Sequence, residues 1–243
     1  MTDVVLSPLE NSNALLCATA PKNTAKWTED RRNCVCASEV SALLGLGGKR
    51  TRAQVLKEKN GELPKPFTDY EMKMLCWGTE HENDGITEVQ KLYSSTCGPV
   101  VKLGSLIHRN HQELQGEPDG IMVDPRSGRF IPIEVKCRCY PTTSLALPYA
   151  SVSEIPQKHW IQLQIYMELL DSEWGVLVNW TVNGSTMFWF ARDKTFFETI
   201  VVPLLKKFKL GTLESRIPRL EKQFTMEYLD TVWACLDAPS NFI

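Results

Sequence analysis

The chain has 243 residues, 43% of them hydrophobic and 23% charged, with a formal net charge of -2 at pH 7. That is enough chain to bury a real core, and the balance excludes an overall basic nucleic-acid binder, so any such contact must come from local patches. No run of about 18 apolar residues is present to span a bilayer, and Met1 to Ala20 lacks the basic start and apolar stretch of a signal peptide. A soluble intracellular protein, cytoplasmic or nuclear, is expected, with its eight cysteines reduced.

In chain order, residues 1–24 are rich in Ser, Asn, Thr, Ala and Pro without a clear period and read as a loosely ordered arm. Residues 25–243 read as one domain with a helical C-terminal region. Cys34 to Leu46 has apolar residues at helical spacing and stops at Gly45, Gly47 and Gly48. Arg52 to Asn60 is a short helix. A longer one runs from about Thr68 to Tyr93, with Leu75, Gly78, Glu82, Ile86, Val89 and Tyr93 on one stripe. Glu82 thus falls among apolar residues while Glu80 points elsewhere. A carboxylate so placed needs either a basic partner or a metal ion.

Ile121 to Val123 and Phe130 to Val135 read as strands joined by the turn Pro125-Arg126-Ser127-Gly128. Val176 to Trp180 and Met187 to Phe190 flank Asn183-Gly184, a hairpin signal. Between the hairpins, Gln157 to Leu170 is a helix apolar almost all round, suited to burial against a sheet. From Lys194 the chain reads as helices. Two segments are locally basic: Lys49 to Lys65, and Lys194 to Lys222 with seven basic against three acidic residues. Solvated helix faces account for most of these taken singly. The C-x-C pairs Cys34/Cys36 and Cys137/Cys139 lack the C-x2-4-C spacing usual for zinc.

The Pro125 to Gly128 turn fixes a register. If Asp124 faces Arg129 across it, Asp119 faces Glu134, and two opposed carboxylates repel unless a cation lies between them. Glu134 and Lys136 share one strand face while Ile133 and Val135 pack on the other. Phosphodiester hydrolysis uses that grouping: carboxylates hold a hard cation, Mg2+ or its substitute Mn2+, and an ammonium group positions water or neutralises developing charge. A solvated hairpin with alternating charges is the other reading of the same residues.

The ordered set of motifs from Trp27 to about Leu170 resembles the phage lambda exonuclease, or YqaJ-type, viral recombination nucleases of the PD-(D/E)XK class. The matching pieces are Trp27 with Arg31, Ala37-Ser38-Glu39-Val40, Gly78-Thr79-Glu80-His81-Glu82, Pro118-Asp119-Gly120, Glu134-Val135-Lys136 and Gln162-Leu163-Gln164. The resemblance implies an α/β core, a mixed central β-sheet flanked by helices, with a helical C-terminal part. It implies Asp119, Glu134, Lys136, Gln162 and Gln164 as catalytic residues, and Glu82, Asp119, Glu134 and the Val135 carbonyl as metal ligands. Arg31 and Ser38 inherit binding of a 5′-phosphate, a role that a guanidinium and a hydroxyl suit.

Some relatives carry a further acid before the P-D-G segment, where this chain has His108 and His111; these are candidate substitutes or ordinary structural histidines. The activity implied is 5′→3′ digestion of linear double-stranded DNA to 5′-mononucleotides, leaving 3′ single-stranded tails. Implied partners are duplex ends and a single-strand annealing protein, with a homo-oligomer as in the ring trimers of some relatives and no membrane. An endonuclease, an RNA-degrading nuclease or an inactive nucleic-acid-binding module remain alternatives, because fold and metal site do not fix the substrate.

Overall fold

The computed structural model describes residues 12–16, 24–48, 50–139 and 147–235, without the side chains of residues 25, 27, 28, 220 and 233–235. Trp27's side chain and most of the arm therefore lie outside the described residues. Within the arm, Ala14–Leu16 is not loose but forms strand β1, antiparallel to β3 (Leu106–His108), with Ala14 fully buried. Three residues are too few to display a period, so only the pairing partner reveals the strand.

Among the described residues, two mixed four-stranded sheets carry the fold. The smaller has the order β1-β3-β4-β2, where β2 is Val35–Cys36 and β4 is Leu114–Gly116. Val35 and Cys36 pair in parallel with Leu114 and Gln115, so the helix expected from Cys34 starts only at Ala37. The apolar run is split because its first residues hydrogen-bond outward to another strand. Helix α1 is Ala25–Asp30, α2 is Ala37–Leu43 and α3 is Arg52–Lys59.

The larger sheet has the order β5-β6-β7-β8: Gly120–Val123, Phe130–Cys137, Trp174–Thr181 and Gly184–Ala191. β5 and β6 pair antiparallel in the expected register, with Ile121 opposite Pro132 and Gly120 opposite Ile133. β6 and β7 are parallel, joined by a crossover through α5 (Gln157–Leu169). β6 is thus an inner strand, hydrogen-bonded on both edges. Its alternating side chains supply two cores. Ile131, Ile133 and Val135 pack with Val176, Val178 and Val89, the last from α4 (Asp69–Cys97). Phe130, with Leu177 and Phe190, faces Trp160, Leu163 and Met167 of α5.

Helix α4 departs from the expected stripe at its N-terminal end. Gly85 and Val89 are buried, but Leu75 is 48% exposed. The chain after the sheet is helical as expected. α6 (Lys194–Phe196) passes through a π-turn (Phe197–Val201) into α7 (Val202–Lys209), and α8 follows at Arg219–Cys235. Among the described residues no helix is long and apolar enough to cross a membrane.

Candidate active site

The two sheets meet at a cleft of about 420 Å³ lined by Arg31, Ser38, Glu82, Asp119, Glu134, Val135, Lys136 and Gln162, among others. They arrive from six separate parts of the chain. Arg31 follows α1, Ser38 lies in the first turn of α2, Glu82 lies on α4, and Asp119 sits just ahead of β5. Glu134 to Lys136 belong to β6, and Gln162 lies on α5.

Asp119 leaves the ladder at the mouth of this cleft. Its N–H donates to Ile133 O at 3.1 Å, and its Oδ2 accepts the Val135 N–H at 2.8 Å. Burial, reinforced by the Glu134 charge against the pull of Lys136, pushes the Asp119 carboxyl well above the usual carboxylate range. Lys136 is ion-paired with Glu134 Oε1 and donates to Gln162 Oε1 at 3.3 Å. Burial works against its ammonium form, but Glu134 and Asp119 outweigh that and hold its pKa above the ordinary lysine value.

Glu134 is 2% exposed, and its second oxygen, Oε2, is buried without a hydrogen-bond partner among the described residues. Glu82 is ion-paired with Lys102 at 2.7 Å and adds to the negative field at Asp119. Among the described residues no three acids, histidines or cysteines are gathered closely enough to hold a metal ion as they stand. The donor set nonetheless fits a hard divalent cation. An orphaned carboxylate oxygen beside an acid whose ionisation is suppressed is a pair short of positive charge.

Gln164 does not belong to the cleft. Two residues along a helix turn the side chain by about 200°, so Gln162 faces Lys136 while Gln164 points into the core at 2% exposure. Its Nε2 donates to Ala191 O at 2.9 Å and its Oε1 accepts the Asp193 N–H at 2.8 Å, tying α5 to the end of β8. The catalytic assignment of Gln164 is corrected to a structural one. Tyr166 takes the place beside Gln162. It lines the cleft and its hydroxyl accepts from Gln162 Nε2 at 2.7 Å, which turns Gln162 Oε1 toward Lys136. The four-residue spacing from Gln162 is the signal that would have found it.

His108 and His111 are outside the cleft and pack on Phe197. His108 Nδ1 accepts the N–H groups of Asn110 and His111, both at 3.1 Å, so it serves the turn after β3 and not the acid cluster. Cys137 does reach the cleft, where burial and the Asp119 charge push its thiol up to about 12, the wrong direction for a thiolate ligand.

A family model described as the YqaJ-like viral recombinase domain matches residues 26–172, more than half of the chain. The chain belongs to this family. In the YqaJ-like match every cleft residue named above is included, and the matched stretch ends between α5 and β7. Among solved structures, the alkaline exonuclease LHK-Exo from Laribacter hongkongensis is similar at 16% identity, covering 86% of this chain and 100% of that one, with a TM-score of 0.57. LHK-Exo in complex with dAMP is similar at 14% identity over the same shares, with a TM-score of 0.54. At these identities the likeness is one of fold, and it agrees with a PD-(D/E)XK-like core. No curated protein matches the chain significantly. Family and fold together support a nuclease of the YqaJ-like recombinase family.

Proposed function

We propose that the chain is a Mg2+-dependent deoxyribonuclease that digests linear duplex DNA 5′→3′ to mononucleotides. The observation that carries this reading is the convergence of Asp119, Glu134 and Lys136 with Arg31 and Ser38 in a single cleft. Hydrolytic residues and anion-binding residues line the same space, as removal of a terminal nucleotide requires. A fold relative in complex with dAMP is in keeping with a mononucleotide product.

Asp119, Glu134 and Glu82 would hold the cation, with the Val135 carbonyl as a further oxygen donor. When bound, Mg2+ polarises the scissile phosphate and favours ionisation of the attacking water. Lys136 keeps its proton on Nζ and sets positive charge beside the developing phosphorane charge, where it is worth most in a water-poor site. Gln162, oriented by Tyr166, fixes the ammonium from the α5 side. Arg31 and Ser38 bind the terminal phosphate, whose second negative charge distinguishes it from an internal phosphodiester.

Digestion of 5′-phosphorylated and 5′-hydroxyl linear duplex, with nicked and closed circles as controls and with and without Mg2+, tests the proposal. Faster loss of the phosphorylated ends is expected, with closed circles intact. The Arg31→Ala variant shrinks that advantage while leaving Mn2+ affinity unchanged. Equal digestion of both ends, or cleavage of closed circles, would favour an endonuclease instead.

A further inference from the structure

We infer that Lys59 is a positioning residue for the terminal-phosphate pocket, an inference that rests on the function proposed above. Lys59 is the last residue of α3, and its side chain is only 8% exposed. Its Nζ donates to the Arg31 carbonyl oxygen at 2.8 Å and pairs with Glu39 Oε2 at 2.7 Å. Glu39 Oε2 in turn accepts the Cys36 N–H at 2.9 Å, one residue before α2 begins. One buried ammonium therefore joins the backbone that presents Arg31 to the start of the helix that presents Ser38.

These are the two residues that must converge on one phosphate, and they come from separate segments. Lys59 itself lines the neighbouring cleft with Arg32, Asn60 and Lys209, so it acts through Arg31 and not on the substrate. The Glu39 carboxylate neutralises it locally. A second cation, Arg50, pairs with Glu39 at 3.1 Å and with Glu58, which keeps the carboxylate oriented toward Cys36 and Lys59. The geometry is that of a clamp: removing Nζ frees the Arg31 loop without touching the acids of β6.

Steady-state digestion of 5′-phosphorylated and 5′-hydroxyl duplex by wild-type protein and Lys59→Met tests this. The variant raises KM for phosphorylated ends by about fivefold, the effect of roughly one net hydrogen bond. It leaves kcat and the 5′-hydroxyl reaction unchanged. Deleting one buried partner endangers the fold, so the double variant Lys59→Met/Glu39→Gln is measured alongside. Replacing both members of a buried pair is often close to neutral, and the new amide oxygen still accepts the Cys36 N–H. The double variant shows the same selective rise in KM. A folded variant that keeps the full preference, or loses activity equally on both ends, overturns the role of Lys59. Wild-type protein without any preference overturns the phosphate pocket itself, which separates the two failures.

Discussion

Asp119 Oδ2 accepts the backbone N–H of Val135, the residue between Glu134 and Lys136. One hydrogen bond thereby sets the spacing of the acid from β5 and the two charged side chains of β6. The consequence is that Asp119 and Glu134 stay together even without a counter-cation, at the cost of suppressed ionisation of Asp119.

Glu134→Ala and Lys136→Ala are each expected to reduce Mg2+-dependent cleavage by on the order of 10²–10³, with duplex binding in the absence of metal retained. Turnover on linear DNA, read beside circular dichroism, checks this. Near wild-type turnover in either variant would remove the pair from the chemistry.

Glu82→Gln should weaken Mn2+ binding by about tenfold, or 1.4 kcal/mol, and Glu80→Gln should leave it unchanged. Glu82 lines the cleft and Glu80 is exposed on the far side of the same helix turn. Calorimetric titration distinguishes them. Equal losses would mean that α4 offers no ligand.

Gly85 is buried on α4 against β6, where an added Cβ would collide with Val135 Cγ1. Gly85→Ala should therefore cost about 1–3 kcal/mol of overpacking, beyond the helix gain of about 1 kcal/mol for alanine, and should lower kcat by displacing Val135. Adding Val135→Ala relieves the collision and restores part of both. At Gly78 on the same helix nothing lies within 4 Å, so Gly78→Ala raises thermal stability. Thermal melts of the three variants beside the wild type test the contrast, and a Gly85→Ala protein more stable than wild type would contradict the close approach.

Burial disfavours the Glu39 carboxylate, yet Lys59, the Cys36 N–H and Arg50 outweigh it and hold its pKa below the ordinary value. A carboxyl with a depressed folded pKa contributes stability that is present above its unfolded pKa, about 4.3, and is lost as pH falls through the folded value. The wild-type Tm should accordingly fall more steeply below about pH 5 than that of Glu39→Gln. Glu39→Gln at neutral pH loses stability, because Lys59 is left in the interior with its charge uncompensated. Parallel slopes for the two proteins would refute the coupling.

The hairpin register was legible because turn chemistry and strand alternation are local, so Ile121 opposite Pro132 follows from four turn residues. The mixed sheet was expected only from the family resemblance, because the parallel pairing of β6 with β7 spans a long crossover that no local pattern reveals. Gln164 was misread because a motif written in letters carries no angle, and two helix positions face opposite ways. Lys102 and Lys59 were invisible as partners of Glu82 and the Arg31 backbone. They lie 20 and 28 residues away in sequence, and nothing in a local pattern ties them together. The small sheet was missed since strands of two or three residues fall below any period.

Strand β6 is hydrogen-bonded on both edges, to β5 in one sense and β7 in the other. It cannot slide by a residue without breaking two ladders of opposite polarity, whereas Arg31 and Ser38 hang from the smaller sheet and its helix. Sequence change therefore has two separate grounds to work on. Under the proposed function, the half of the molecule that would select DNA ends can drift toward new termini while the half that would break the bond stays locked, so end preference is expected to diverge before chemistry does.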